Sequence, residues 1–417
     1  MNARRATFQA LAAGLALALA VTMVSMAQDS QPIEGSSSSD TPMRATLAPV
    51  GQAAGSDRAQ GFASGYPGWE QVNVDGFGDP GQQVAALSVF GSQLYAGTQN
   101  DVTGGQVWRS DDGRSWSEVT PAGWSPDGAN VSDAQVFGSY LYFGTLPLDY
   151  AGGEVWRTDG TTWEQVVFDG FGDDHNYAAN ALRVFGAHLY AATLSDTGSE
   201  IWRSSTGNPS SWTQVNQDGF GSPGDFTEHT MEVHGNFLYV GLGRYGVAEL
   251  WRTDNGTTWL PVFTDGLAPN NSFVSAMAEL DGALYIGLRN TTTGGEVWRS
   301  ANGTDWEPVI TGGLGDPNNK RPYGLVVFEE RLYLVFSNLA AGAEVWRSAD
   351  GATWEQVVDG GWGDAGNQFA DYGDKAAAVF RNSLYAGTMN DATGGEIWQK
   401  LHTIYLPLVM RGYEPGP

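Results

Sequence analysis

The chain contains no cysteine, which excludes disulfide bonds, thiolate metal sites, a cysteine nucleophile and a lipoprotein anchor. Positive charge is also scarce: 21 lysine and arginine residues stand against 47 aspartate and glutamate residues, so the net charge is −26. Because a nucleic-acid partner requires a concentrated basic surface, we expect no binding to DNA or RNA. The hydrophobic fraction of 41% is enough for a large core, so we expect a globular protein with an acidic surface.

Helical periodicity is missing as well, except within the first 27 residues. There Arg4 and Arg5 precede an apolar run over residues 10–24, and Ser25 and Ala27 are small residues typical of a cleavage site. We therefore predict a signal peptide over residues 1–27, and a secreted or cell-surface protein with no membrane span after cleavage. An uncleaved membrane anchor is the alternative. Residues 28–64 are rich in Ser, Ala, Gly and Pro, which predicts a flexible linker.

A repeated phrase dominates the rest of the chain. It reads GGEVWRSANGTDW at residues 294–306. Its last tryptophan recurs at spacings of 47, 49, 47, 47 and 48 residues, as Trp116, Trp163, Trp212, Trp259, Trp306 and Trp354. Each unit divides into four short alternating segments, which in the first unit are 85–90, 93–98, 106–110 and 115–119. Four antiparallel strands in a repeat of this length are typical of a β-propeller blade.

The phase of the repeat predicts how the ring closes. The chain begins with a lone fourth strand at Trp69 and ends with three strands over residues 376–400. The N-terminal strand would then complete the last blade and leave no open edge. We predict an all-β, seven-bladed β-propeller of four-stranded antiparallel blades over residues 65–400, in which residues 69–74 pair with 395–399. We expect a monomer, and the C-terminal tail over residues 401–417 is a candidate sorting segment.

The turn before each repeated tryptophan, Ser-Asp-Asp-Gly-Arg-Ser-Trp at residues 110–116, resembles the Asp-box (BNR) repeat of sialidases and related propellers. Its acidic position is filled in or near register by Asp112, Asp159, Asp254 and Asp350, and by Asn302 and Thr206 in two other copies. The resemblance implies a propeller fold and, for sialidase activity, three clamping arginines, a Tyr–Glu nucleophile pair and an acid/base Asp. The N-terminal arginine motif of sialidases is absent. Because a residue repeated around a ring cannot be a unique catalyst, we predict that these Asp residues, and the arginines that follow the third-strand tryptophans, are structural.

Ligand binding is expected where the repeats differ. In antiparallel blades the Asp-box turns lie on one face, and the loops that lead into the first strands lie on the other, around the usual ligand mouth. The most varied polar residues on the mouth face are Asp133, Asn180, Glu228, His229, Arg321, Tyr323, Asp374 and Lys375. We predict that they converge on a central ligand site, where His229 would give binding a pH dependence near 6.5. The alternative is that unequal residues only solvate a central tunnel.

We expect a non-catalytic binding or scaffold propeller for a glycan or protein ligand. A glycoside hydrolase with Glu228 and Asp374 as its two carboxylates is one alternative, and an envelope assembly factor is another. We assign no catalytic residue, cofactor or metal ligand, although calcium binding by the acidic loops is an open alternative. The loops also carry one apolar residue per blade that we expect to fill the gap between blades rather than to stack on a sugar: Phe77, Trp124, Phe171, Phe220, Leu267, Leu314 and Trp362.

Overall fold

The computed structural model describes residues 68–124, 128–222, 229–244, 246–369 and 375–401. These residues form seven four-stranded antiparallel sheets, which are the blades of a closed β-propeller and confirm the predicted fold. The predicted signal peptide, the linker and residues 402–417 of the tail lie outside the described residues. Within the described ranges, no helix is long and apolar enough to cross a membrane.

Six blades are formed by four consecutive strands each. Blade 1 contains β2 (Gln83–Phe90), β3 (Gln93–Gln99), β4 (Val107–Ser110) and β5 (Trp116–Glu118). Blade 2 contains β6 (Ala129–Phe137), β7 (Tyr140–Pro147), β8 (Val155–Thr158) and β9 (Trp163–Val167). Blade 3 contains β10 (Asn176–Phe185), β11 (His188–Ser195), β12 (Ile201–Ser204) and β13 (Thr213–Gln214).

The second half of the ring continues the same order. Blade 4 contains β14 (Thr230–His234), β15 (Phe237–Arg244), β16 (Val247–Thr253) and β17 (Leu260–Phe263). Blade 5 contains β18 (Asn271–Leu280), β19 (Ala283–Asn290), β20 (Glu296–Ser300) and β21 (Glu307–Ile310). Blade 6 contains β22 (Asn319–Phe328), β23 (Arg331–Asn338), β24 (Glu344–Ser348) and β25 (Glu355–Val358). Blade 7 contains β26 (Ala377–Phe380), β27 (Ser383–Gly387), β28 (Ile397–Lys400) and β1 (Trp69–Gln71). Short 3-10 turns lead into five blades, at Asp75–Gly78, Asp169–Gly172, Asp218–Gly221, Gly312–Gly315 and Gly360–Gly363.

Strand β1 closes the ring as predicted, by pairing with β28. Trp69 lies opposite Lys400 in the antiparallel register, and Gln71 lies opposite Trp398. The strand is three residues long, shorter than the six residues proposed from the sequence. The reason is that the Asn73 side chain takes over the next position, where its Oδ1 accepts a hydrogen bond from Ile397 N at 2.6 Å.

Each Asp-box turn is held by the side chain at its acidic position. In blade 1 the Asp112 carboxylate accepts hydrogen bonds from the backbone N–H groups of Arg114 (2.8 Å) and Ser115 (2.7 Å). Burial opposes ionisation of Asp112, but the hydrogen bonds outweigh it and lower its pKa to about 2. In blade 4 these bonds are accepted by Asn255 and not by the expected Asp254. Asn255 takes this role because the accepting residue directly precedes the left-handed glycine of the turn, which in blade 4 is Gly256.

The glycine of the turn also contacts the preceding blade. Gly303 in blade 5 has φ +73, and a Cβ placed there would collide with the Tyr239 hydroxyl of blade 4. Tyr239 Oη donates to the Gly303 carbonyl at 3.5 Å, and Arg252, which follows a third-strand tryptophan, donates to it at 3.4 Å. The repeated phrase is therefore a contact between blades, which confirms its structural role. Equivalent contacts join Gly113 to Tyr385, Gly207 to Tyr142, Gly256 to Tyr190 and Gly351 to Tyr285.

The apolar residues of the loops fill the gaps between blades, as expected. Phe77 stacks on Trp108 with ring centroids 4.5 Å apart, and Trp116 meets Phe77 edge-on at 5.7 Å. The Phe77 backbone has φ +54, a left-handed conformation that costs a non-glycine residue about 1–3 kcal/mol. Packing between two tryptophans offsets that cost. The same pair of ring contacts recurs at Phe171, Phe220 and Trp362.

A buried glutamate within the repeated phrase positions one of these tryptophans. Glu396 Oε2 accepts hydrogen bonds from Trp398 Nε1 and Asn367 Nδ2, both at 2.7 Å. Burial raises the pKa of Glu396 to about 7, and the carboxylates of Asp75 and Asp364 act in the same direction. Sequence analysis did not single out this residue. The glutamate–tryptophan bond recurs at Glu154, Glu200, Glu249, Glu296 and Glu344, and blade 1 makes it with Gln106.

This network predicts that Glu396→Gln changes how stability depends on pH. The pKa of Glu396 is near 4.5 in the unfolded chain and about 7 in the folded protein. The stability that its protonated form contributes is therefore fully present below pH 4.5 and is lost as the pH rises through 7. A glutamine stays neutral, and Gln106 shows that an amide fits this position. We expect the free energy of unfolding of the variant, relative to the parent, to rise by about 2 kcal/mol between pH 5 and pH 8. Urea titrations at the two pH values measure this difference. The exposed Glu118→Gln is the control, and a difference independent of pH for Glu396→Gln would contradict the prediction.

Candidate ligand-binding site

Two of the residues predicted to line the mouth, Asn180 and Tyr323, lie on β-bulges in the first strands of their blades. The register of β22 with β23 passes from Pro322–Phe336 to Gly324–Val335, which leaves Tyr323 as the extra residue. A bulge turns its side chain away from the regular alternation of the strand. The bulged residues occupy the third to fifth positions of their strands, deeper than the entrance predicted from the sequence. They are Ala85, Ser132, Asn180, Ser275 and Tyr323, and all are buried.

Lys375 and Asp133 join three blades across the ring. Lys375 Nζ, from blade 7, lies 3.1 Å from Asp133 Oδ1 in blade 2 and donates to the Leu182 carbonyl of blade 3 at 2.9 Å. The Asp133 carboxylate also accepts hydrogen bonds from Ala134 N and Leu182 N, both at 2.6 Å. Both predicted residues are therefore brought together, but they bind each other and the backbone.

His229 and Asn180 are enclosed in the protein. His229 is 4% exposed, and burial lowers its pKa to about 3. The expected pH dependence of binding near 6.5 is therefore wrong, because this imidazole stays neutral at physiological pH. Asn180 is 3% exposed, and its Nδ2 has no hydrogen-bond partner within the described part of the chain. Glu228 and Asp374, the two remaining carboxylates of the predicted site, lie outside the described residues.

Arg321 and Tyr323 belong to a basic and aromatic group on the mouth face. Arg321 Nη1 donates to Tyr323 Oη at 2.9 Å, and its guanidinium carbon lies 3.9 Å from the Tyr323 ring centroid. The guanidinium carbons of Arg289 and Arg321 lie 5.4 and 5.8 Å from the centroid of the Phe273 ring. Phe273 and Arg289 are paired across β18 and β19, and both are partly exposed. We call Phe273, Arg289, Arg321 and Tyr323 the mouth group.

The acidic loops have internal hydrogen bonds that account for their composition. Asn100 Oδ1 accepts from the N–H groups of Val102 and Thr103, and Asn290 and Asn390 cap their loops in the same way. Among the described residues, Asp173, Asp174 and His175 form a group with ligand atoms within 4.8 Å of one another that could hold a metal ion. These side chains are at least partly exposed, and calcium binding stays an open alternative.

No protein-family model and no curated protein sequence matches this chain. Several solved structures are similar to it in fold. A polysaccharide lyase of family PL25, an ulvan lyase bound to a GlcA(1-4)Rha3S saccharide, matches with a TM-score of 0.53 at 10% sequence identity, covering 78% of this chain and 94% of the lyase. A prolyl endopeptidase matches with a TM-score of 0.47 at 12% identity, over 76% of this chain and 50% of the endopeptidase, so this chain spans about half its length. The β-propeller domain of the Trilobed protease from Pyrococcus furiosus gives 0.46 at 7% identity, over 76% of this chain and 95% of that domain. The shared feature is the β-propeller fold.

Proposed function

We propose that this protein is a secreted or cell-surface propeller that binds a glycan at its central mouth without catalysing a reaction on it. The observation that carries the proposal is the mouth group, in which one partly exposed phenylalanine ring lies beside two guanidinium groups. The chain has a net charge of −26, and most arginines of the repeated phrase are engaged in contacts between or within blades. Arg289, which is partly exposed at the mouth, therefore stands out against the rest of the surface, whereas Arg321 is buried.

The chemistry of the mouth group suits a saccharide. The apolar C–H face of a sugar ring packs on an aromatic ring such as Phe273, and guanidinium groups donate hydrogen bonds to sugar hydroxyl and carboxylate oxygens. Arg289 makes no ion pair within the described part of the chain, so its donors can meet a ligand. Concave mouths with a few convergent polar groups are the usual place for ligands in a fold of this kind.

Two further observations support this proposal. The Asp-box turns resemble those of sialidases and related propellers, and the first 27 residues predict export from the cell, where glycans are abundant. The ulvan lyase with a similar fold has a saccharide bound, although a likeness at 10% identity concerns the fold alone. For the hydrolase alternative, Glu228 and Asp374 lie outside the described residues, so that alternative stays open. Among the described residues, the mouth group supports binding.

A glycan array tests this function with the full chain and two variants, Phe273→Ala and Arg289→Ala. We expect the parent to bind a defined set of glycans and each variant to bind them at least about tenfold more weakly, since each loses a direct contact. Arg331→Ala is the control, because it removes the same charge from an exposed position on the opposite face. The proposal is wrong if the parent binds no glycan, or if both mouth variants bind as the parent does. The same array in EDTA tests the calcium alternative.

A further inference from the structure

A cleft with a volume of about 660 Å³ lies between blades 3 and 4, at the outer rim of the propeller. One wall comes from the end of blade 3, with Arg203 and Gln217, and the other from blade 4, with Trp251, Thr258 and Trp259. The cleft is formed by outer-strand and Asp-box residues, so it is separate from the central mouth. We call it the rim cleft.

At the rim cleft the outer strand of blade 3 ends early. Strand β13 is only two residues long, and Asn216 Oδ1 accepts the hydrogen bond from Ile201 N at 2.6 Å that a strand carbonyl would otherwise take. The chain then turns, and the Val215 carbonyl accepts the indole N–H of Trp259 from the next blade at 3.0 Å. Phe220 stacks on Trp251 with ring centroids 4.8 Å apart and meets Trp259 edge-on at 5.7 Å, and the cleft lies beside this aromatic group.

The junction of blades 7 and 1 has the same local architecture and is spanned by an ion pair; we call it the closed junction. Asn73 Oδ1 accepts Ile397 N, and the Val72 carbonyl accepts the indole N–H of Trp116 at 2.9 Å. There Arg114 and Glu70 form a bidentate ion pair that bridges the two blades. Arg114 Nη1 donates to Glu70 Oε1 at 3.0 Å, and Arg114 Nη2 donates to Glu70 Oε2 at 2.5 Å. At the rim cleft the equivalent positions are occupied by Thr213 and Thr257, so the bridge is missing.

The charges of the two junctions also differ. Two acidic residues of the closed junction, Glu70 and Asp112, are replaced at the rim cleft by Thr213 and Asn255, and Gln399 is replaced by Arg203. Arg203 Nη1 donates a long hydrogen bond, 3.5 Å, to the Asn255 carbonyl, and this side chain forms no ion pair within the described ranges. The four residues of the closed junction carry a summed charge of −1: Glu70, Asp112, Arg114 and Gln399. Their four counterparts at the rim cleft carry a summed charge of +1: Thr213, Asn255, Thr257 and Arg203. In a protein with a net charge of −26, this cleft favours an anionic ligand.

We propose that the rim cleft is a second saccharide-binding site, specific for a carboxylated glycan. The indole rings of Trp251 and Trp259 would contact the apolar face of a sugar, and Arg203 would bind its carboxylate with two parallel hydrogen bonds. The Gln217 amide and the hydroxyl of Thr258 are polar groups at the same cleft and suit sugar hydroxyls. This site goes beyond the central mouth and does not depend on it.

The test measures binding of tetragalacturonate by calorimetry to the full chain carrying Arg289→Ala, which weakens the central mouth. In this background Thr213→Glu with Thr257→Arg rebuilds the ion pair of the closed junction, so the closed variant is expected to fold. We expect the closed variant to bind tetragalacturonate at least about tenfold more weakly. Arg203→Gln, which installs the residue of the closed junction, should weaken binding of tetragalacturonate and leave binding of its neutral methyl ester unchanged.

Each contrary result overturns the proposal. Binding that is absent in the Arg289→Ala background, or unchanged in the closed variant, shows that the cleft is not a site. Equal binding of acid and methyl ester removes the specificity for a carboxylate, and competition by hexaglutamate as strong as by tetragalacturonate removes the specificity for a saccharide. Failure of the central-mouth proposal is distinguishable, because it leaves the difference between the open and closed variants intact.

Discussion

A chain that begins at Asp75 will not form a stable folded monomer, whereas a chain that begins at Gly65 will melt at nearly the temperature of the mature protein. The two chains differ by residues 65–74, which include the whole of β1. Trp69 is buried edge-on against Trp362 at 5.6 Å, and Val72 is buried in the core between blades 7 and 1. Burial of a tryptophan and a valine contributes roughly 5–8 kcal/mol, which is comparable with the total stability of about 5–15 kcal/mol of most proteins.

Loss of β1 also exposes the edge of β28, which favours aggregation. Calorimetry and size-exclusion chromatography of the two truncated chains measure both effects. A synthetic peptide of residues 65–78, added to the shorter chain, should restore part of the lost melting temperature, because it binds only the folded ring. Equal melting temperatures for the two chains would show that β1 does not close the propeller.

Gly303→Ala should be among the most damaging single substitutions in the Asp-box turns. The new methyl group would meet the buried hydroxyl of Tyr239, and the backbone at φ +73 is strained for alanine. We expect the free energy of unfolding to fall by about 2–4 kcal/mol, as the sum of backbone strain and overpacking. Chemical denaturation measures the loss.

Gly138→Ala is the matched control for this prediction. Gly138 has φ +59 in the turn between β6 and β7, and a Cβ there meets no atom within 4 Å, so only the backbone strain applies. A second variant, Gly303→Ala with Tyr239→Phe, removes the hydroxyl and should recover part of the stability. If Gly303→Ala and Gly138→Ala cost the same, the contact between blades is not what requires the glycine.

The closure of the ring could be predicted from the sequence because the repeat leaves one arrangement. A lone fourth strand at Trp69 and a final unit that lacks one can only complete each other. The contact partner of the repeated glycine could not be predicted, since Gly303 and Tyr239 belong to different repeats and lie 64 residues apart. Both residues recur periodically along the chain, but periodicity does not say which residues touch.

The candidate site was harder to predict than the fold. Alternation along a strand does not reveal an extra residue, so the bulge at Tyr323 and the burial of Asn180 and His229 had no sequence signal. The buried glutamates did have one: Glu396 and its equivalents stand two residues before a tryptophan, and Gln106 preserves only the hydrogen-bond acceptor. Glutamate is so common on surfaces that its regular spacing alone does not indicate burial.

The central claim is that the repeated Asp-box turns build the propeller and that unequal residues at the central mouth bind a glycan. The most direct test is binding to a glycan array by the parent, Asp112→Ala and Arg289→Ala, at a temperature where all three are folded. Asp112→Ala loses local hydrogen bonds worth about 0.5–2 kcal/mol of stability, and the account predicts that it still binds as the parent does. Arg289→Ala is predicted to stay folded and to lose at least about nine-tenths of the binding. Loss of binding in Asp112→Ala together with full binding in Arg289→Ala would contradict the account.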